Sequence, residues 1–210
     1  MIPFKDDVPT YRKPVITVLL IVINCLVFAF QLTLPQDVHL ASLHVFGVIP
    51  ARVTRVSSYL VPEVTNPLVS LASSMFLHGG WLHLIGNMLY LWIFGNNVED
   101  SMGHARFIAF YLLCGLVAAA AQIAANPSST VPMIGASGAI AGVLGAYLIL
   151  YPFARVHTLL IIFIFIKVIT LPAIVVLLFW FLHQVMNSLG TVEDGLAAIC
   201  AAAATRPQRR

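Results

Sequence analysis

Polar positions in this chain of 210 residues gather in short clusters, and the runs between them are apolar on every face. A helix crosses a bilayer with about 20 consecutive apolar residues, so these runs predict membrane spans. The first covers about 14–34 and opens at Pro14, where a first helical turn tolerates the missing N–H. A second, about 77–94, stops at Gly95-Asn96-Asn97-Val98-Glu99-Asp100. A third, about 106–125, is closed by Asn126-Pro127-Ser128-Ser129, and a fourth, about 135–151, ends at Pro152. The fifth is placed at about 171–186, behind a short interfacial segment over 159–166 that leaves Lys167 near the cytoplasmic surface. Residues 196–204 rise about 14 Å as helix against a hydrocarbon core of about 30 Å, so 195–204 is a partial sixth segment. Between the first two spans, 35–66 is a long connection with its own Leu, Val and Phe, which predicts a folded element at the membrane surface.

Composition agrees with this pattern. Hydrophobic residues make up 60% of the chain and charged residues 9%, against about a quarter charged in an ordinary soluble domain. A soluble globular protein is excluded, and the fold class expected is an all-α, polytopic transmembrane bundle. Residues 1–13 form a cytoplasmic N-terminal segment, 14–204 the transmembrane domain and 205–210 a basic tail. The first run is span-length and lacks a small-residue cleavage site, so it reads as an uncleaved anchor. With the N-terminus inside, Lys5, Arg12, Lys13, Arg106, Arg155 and Lys167 fall on the cytoplasmic side and Arg52 and Arg55 outside, the bias expected of cytoplasmic loops. Arg206, Arg209 and Arg210 join the inner set if the last segment returns across the membrane. The chain has no basic face for nucleic acid. Cys25, Cys114 and Cys200 lie in apolar stretches without metal-ligand spacing, so neither a disulfide framework nor a metal site is expected.

Polar groups at membrane depth are expensive and mark functional sites by default. Two groupings stand out. In His78-Gly79-Gly80-Trp81-Leu82-His83-Leu84-Ile85-Gly86-Asn87, His83 and Asn87 are four apart and share one helical face. Two donors aimed at one point can hold a developing oxyanion; interhelical hydrogen-bonding glue is the competing reading. In Gly135-Ala136-Ser137-Gly138 the serine stands at a helix start, where backbone N–H groups lack helical acceptors. It is a candidate nucleophile whose own amide completes an anion site. Gly138, Gly142 and Gly145 together make a small-residue face on which another helix can pack closely. Glu99 and Asp100 read as caps anchoring a cytoplasmic loop, and His39, His44, His104 and His157 as solvated or structural.

These motifs, with Gly95-Asn96-Asn97-Val98-Glu99-Asp100 and Gly103-His104-Ala105-Arg106-Phe107 between them, resemble the rhomboid family of intramembrane serine proteases in order and separation over about 14–186. The resemblance implies serine-type endopeptidase cleavage, without metal or cofactor, in or near transmembrane helices of other membrane proteins. Ser137 would be the nucleophile, with its N–H, His83 and Asn87 forming the oxyanion site, and His78 would take a structural or water-handling role near Gly135 and Gly138. Substrate helices would enter beside span five. A bacterial cytoplasmic membrane is the expected location.

The chain departs from the family pattern at the base. A serine hydroxyl attacks only when a base takes its proton, and the family's histidine follows an approach like Gly195-Leu196-Ala197-Ala198-Ile199-Cys200. Here Ala201 comes next, and no histidine follows His183. Three explanations are open. The change to Ala, Thr, Arg, Pro and Gln after residue 200 fits a truncated or frame-shifted copy. A catalytically inactive relative would bind transmembrane helices without cutting them. As a third explanation, His183 would substitute as base, against its simpler reading as an interfacial histidine. A channel or transporter would show paired broken helices in two repeats, and the sequence has no such symmetry.

Overall fold

The computed structural model describes residues 1–54, 66–162, 165–184 and 186. Among them the order is β1 (Ile2–Asp6), α1 (Val15–Thr33), α2 (Gln36–Phe46), α3 (Pro50–Val53), α4 (Pro67–Ser73) with a 3-10 turn at Ser74–Phe76, α5 (Trp81–Met102), α6 (His104–Ala125), α7 (Ser137–Leu150), β2 (Arg155–Ile162), β3 (Phe165–Pro172) and α8 (Ala173–Gln184). The molecule is a helical membrane bundle, as the apolar runs predict. Helices α1 and α6 are long and apolar enough to cross a bilayer by themselves, and α4 with α5 passes as a pair bent by 81° at 77–80. The partial segment at 195–204 and residue 201 lie outside the described residues.

Helix α5 is the axis of the bundle. Its Leu91, Phe94 and Val98 are completely buried, together with Phe107 and Tyr111 of α6 and Ile140, Val143 and Tyr147 of α7. The α6–α7 contact depends on missing side chains: a Cβ on Gly138 would stand 2.6 Å from the Ala118 Cβ, and one on Gly142 would overlap Cys114. Gly145, expected on the same packing face, instead faces open space.

Helix α1 buries Thr17, Leu20, Asn24, Phe28 and Gln31, which recur every three or four residues and so form one stripe. The polar members tie α1 to α5 at its start through Glu99 and to the break before α5 at its end through His78. At its start the Glu99 carboxylate of α5 accepts the N–H groups of Ile16 and Thr17 at 2.8 and 2.7 Å and the Thr17 hydroxyl at 2.7 Å. Asp100 accepts the N–H groups of Tyr11 and Arg12 at 3.0 and 2.9 Å. Glu99 is therefore a cap, as read from the sequence, but the helix it serves is α1, more than 80 residues earlier in the chain, while Asp100 holds the segment that leads into that helix. Helix α1 has no side-chain cap of its own, and a carboxylate at a helix N-terminus satisfies its orphan donors and meets its dipole favourably. Gly103, with φ of +79°, turns the corner from α5 into α6 in a conformation that side chains disfavour, and His104 places its Nδ1 2.6 Å from the same Glu99 carboxylate.

In the stretch 159–166, expected as an interfacial segment, residues 159–162 and 165–166 are β structure. Strands β1, β2 and β3 form an antiparallel sheet in that order, with Val156 opposite Asp6 on one side and Leu171 on the other. Ile, Val and Thr dominate β2 and β3, and β-branched residues fit a pleated surface. Strand β3 runs to Pro172 and leads straight into α8.

The inner face of the sheet carries Asp6, buried, whose carboxylate accepts the Tyr147 hydroxyl at 2.5 Å. Burial raises the Asp6 pKa above its ordinary value, the Tyr147 hydrogen bond opposes this, and neighbouring Asp7 adds to the rise. A raised folded-state pKa means that the folded protein holds the proton more firmly. The contribution of Asp6 is then full below the unfolded carboxylate pKa and is lost as pH rises through the folded one. Asp6→Asn, which keeps an acceptor for Tyr147, is expected to gain stability relative to the parent as pH rises from the acid range to neutrality. Thermal unfolding in detergent across a pH series checks this, and a difference independent of pH would refute it.

Candidate active site

The break between the 3-10 turn and α5 at 77–80 receives the loop that leads into α7. Gly135 donates its N–H to the Ser74 carbonyl at 2.8 Å and adopts a φ of +111°, a region that side chains rarely enter. Its bare α-carbon faces α5: a Cβ there would lie 2.7 Å from both Cε1 and Nε2 of His83 and 3.7 Å from the Asn87 Nδ2. His83, Asn87 and the turn before Ser137 are thus brought together, although 48 residues of chain separate Asn87 from Gly135.

Ser137 is the first residue of α7, and the residue before it, Ala136, offers no side-chain cap. The first helical bond runs from the Ile140 N–H to the Ala136 carbonyl, so the amides of Ser137, Gly138 and Ala139 have no helical acceptor. An uncapped helix start carries the positive end of the helix dipole and points its N–H groups outward. Beside it stand an imidazole and a carboxamide, the two side-chain types that the motif spacing had singled out. Such an arrangement can hold a small anion or a developing negative charge on oxygen. Gly138 meets Ala118 of α6, so its role is close packing behind the serine.

The Asn87 amide is held from behind. His78 is completely buried, and its Nε2 lies 3.1 Å from the Asn87 Nδ2. A carboxamide nitrogen only donates, so His78 Nε2 accepts and one amide N–H of Asn87 remains for other use. The His78 ring meets that of His83 edge-on, with centroids 5.0 Å apart. His78 is in turn fixed through its backbone by Gln31 of α1, whose amide accepts the His78 N–H at 3.1 Å and donates to the His78 carbonyl at 3.2 Å. Gln31 was not singled out in the sequence, although a buried carboxamide in an otherwise apolar span is the signal that would have found it.

The first connection supports the same loop from its other side. Val48 and Met133 exchange backbone hydrogen bonds at 3.0 and 2.7 Å, the Ala51 N–H donates to the Ser129 carbonyl at 3.0 Å, and the Thr54 hydroxyl donates to the Pro127 carbonyl at 2.7 Å. Both flanks of the 126–136 loop are therefore pinned before the chain reaches Ser137. His183 stands in the last turn of α8 with its side chain exposed.

Gly135→Ala combines a strained φ with a clash against His83, and a residue held in a sparsely populated backbone region costs about 1–3 kcal/mol. A fall in stability of that size is expected. Gly80→Ala is the control, because the backbone there is extended with φ 168° and a Cβ would meet nothing within 4 Å. Thermal unfolding of both variants in detergent decides the matter; equal midpoints would show that the Gly135 turn is not strained.

Comparison with known proteins places the chain in a family. The chain is 42% identical over 78 residues to Rhomboid protease GluP of Bacillus subtilis, covering 37% of this chain and 15% of that protein. It is 38% identical over 78 residues to RHOMBOID-like protein 5 of Arabidopsis thaliana, covering 37% and 25% of the two chains. It is 32% identical over 101 residues to the mitochondrial Rhomboid protein 1 of Saccharomyces cerevisiae, covering 46% and 29%. The chain thus spans less than a third of the length of each of these relatives. No solved structure matches it. The model of the Rhomboid domain matches residues 65–204, which include α4 to α8 and every residue of the site except Gln31, and the chain belongs to the rhomboid family.

Proposed function

We propose that the site is that of an intramembrane serine endopeptidase acting on peptide bonds in or near transmembrane segments of other proteins. Ser137 is its nucleophile, and the Ser137 N–H, His83 and Asn87 are its oxyanion donors. The observation that carries this reading is the Gly135 turn, which docks the uncapped start of α7 against His83 and Asn87. In the reaction the Ser137 Oγ bonds to the scissile carbonyl carbon and its proton passes to a base. Negative charge collects on the carbonyl oxygen among the three donors. The amine then leaves with a proton, and water releases the acyl group from Ser137. Donors already aimed at the oxygen need no reorganisation as the charge forms, and removing one from such a site typically costs about 10²–10³ in rate. The bilayer supplies the substrates, with helices reaching the site beside α8. In the topology proposed, the sheet end of the bundle, with Lys5, Arg12, Lys13, Arg106, Arg155 and Lys167, is cytoplasmic. A bacterial cytoplasmic membrane is the proposed setting, in line with the similarity to the Bacillus subtilis protein.

A second reading rests on one specific observation, the alanine at position 201. On this reading the chain is a catalytically inactive rhomboid that binds transmembrane helices. Cleavage of a model transmembrane substrate by the purified protein in liposomes, with Ser137→Ala in parallel, separates the two. Cleavage that disappears with Ser137→Ala supports the protease and makes His183→Gln the next variant, whereas substrate capture with no cleavage supports the binder.

A further inference from the structure

The three-stranded sheet has two faces, and only one is covered. Cross-strand partners share a face, so Asp6, Val156 and Leu171 turn toward the bundle together with Pro3, Thr158 and Ile169; Asp6, Val156 and Thr158 are buried. The other face carries Ile2, Leu159 and Val168 in one row and Lys5, His157 and Thr170 in the next. Phe4, the extra residue at the irregularity between Pro3 and Lys5, stacks toward His157 with ring centroids 6.2 Å apart. On this outward side Ile166 is 68% exposed, Val168 55%, Phe4 46% and Ile2 43%. Four large apolar side chains on one strand surface are an aggregation liability unless something covers them.

The position of the sheet narrows what the cover is. Residues 151–154 alone connect α7 to β2, and β3 passes into α8 without a linker. The Asn97 amide of α5 donates to the Val8 carbonyl at 3.1 Å, and Tyr147 of α7 donates to Asp6. The sheet is therefore held at the ends of bundle helices, on the opposite end of α7 from Ser137, and cannot move away from the bilayer surface. Charge points the same way. Lys5 and Arg155 lie on the outward face, and Arg12 and Lys13 follow β1, all of them exposed. Asp7, the acid that follows β1, is engaged by His157 at 2.7 Å. Among the described residues Arg52 is the one lysine or arginine at the other end of the bundle.

We propose that the outward face of this sheet docks on anionic lipid headgroups of the bilayer that holds the bundle. Ile2, Phe4, Ile166 and Val168 enter the boundary between headgroups and acyl chains, and Lys5 and Arg155 meet the phosphates. Amphipathic elements bind such interfaces through apolar burial plus attraction to anionic lipid, and each lysine or arginine near an anionic surface favours the bound state by about fivefold. This inference is independent of whether Ser137 cleaves anything.

The test uses the full chain with Cys25, Cys114 and Cys200 replaced by alanine and a spin label on Val168→Cys. It is reconstituted in phosphatidylcholine vesicles with or without phosphatidylglycerol. Power saturation compares access of oxygen, which concentrates in lipid, with access of a water-soluble nickel chelate. The expected result is a ratio of oxygen to nickel access that rises several-fold with phosphatidylglycerol, falls again at high salt, and loses its lipid dependence in the double variant Lys5→Gln, Arg155→Gln. Because the cysteine replacements touch the packed α6–α7 contact, hydrogen exchange on the unmodified chain is measured as well, and the amides of β1 and β3 should slow with phosphatidylglycerol. Nickel access and exchange that are the same in both vesicles would overturn the proposal. Shielding that is equal in both lipids and follows protein concentration in detergent would also overturn it, and would make a second copy of the chain the occupant.

Discussion

Ala201→His is expected to raise cleavage of a model transmembrane substrate in liposomes by on the order of 10⁴-fold, and Ser137→Ala in the same background is expected to abolish the gain. The argument starts from the serine. At neutral pH its hydroxyl is a weak nucleophile, and a neighbouring imidazole that accepts its proton is what makes attack feasible. In enzymes built this way, loss of the base lowers turnover by roughly 10⁴ to 10⁶, while the anion site and binding alone retain a residual 10³–10⁴ over water. The docked Gly135 turn, the uncapped α7 start and the His78-supported Asn87 amide are all present among the described residues. A gain on restoring histidine would therefore mean that the donors were already in place and that the proton acceptor alone was missing. Silence from Ala201→His, with capture of the substrate helix retained, would leave the helix-binding reading. Cleavage by the parent chain would point to another base, and loss of that activity in His183→Gln but not in Ala201→Gly would identify it.

Glu99→Ala is expected to produce the largest loss of stability of any single change at the sheet end of the bundle, about 3 kcal/mol or more. Glu99 is 1% exposed, and its two oxygens accept two backbone N–H groups and a hydroxyl from α1 and face the His104 ring nitrogen at the start of α6. Removing the carboxylate orphans three donors at once, and a buried polar group left unsatisfied costs about 1–3 kcal/mol. Glu99→Gln retains one acceptor oxygen but turns an N–H₂ group toward donors, so it should fall between the parent and Glu99→Ala. Thr17→Val, which removes only the hydroxyl, should cost least of the three. Unfolding of the series in detergent gives the ranking. Equal stability of Glu99→Ala and the parent would mean that water replaces the carboxylate at the start of α1.

Much of this architecture was legible in the sequence because hydrophobicity acts locally. A run such as Val15–Thr33 has to be helical at membrane depth, since the backbone there satisfies its hydrogen bonds only within the segment. The bounds of α1, α6 and α7 accordingly lie close to the apolar runs. The capping role of Glu99 and the anchoring role of Asp100 were legible in kind, because carboxylates after an apolar run seek N–H groups, but the partner segment was not, because that depends on which helix packs beside α5. Likewise, the spacing of His83 and Asn87 shows a shared face and leaves open whether that face meets a lipid, a neighbouring helix or a reacting atom.

By itself the sequence determined a polytopic helical bundle with polar groups concentrated in two short motifs, because burial in lipid is a property of each segment alone. Tertiary structure alone decided that Gly135 closes on His83 and Asn87, that Gln31 steadies His78 from α1, and that β2 and β3 form a sheet with β1 where the sequence suggested a short interfacial segment. Each of these depends on contacts between residues distant in the chain. Their strengths are set by approach distances and hydrogen-bond partners that no local pattern encodes, which is why residue types could name the candidates while only the packed bundle could bring them together.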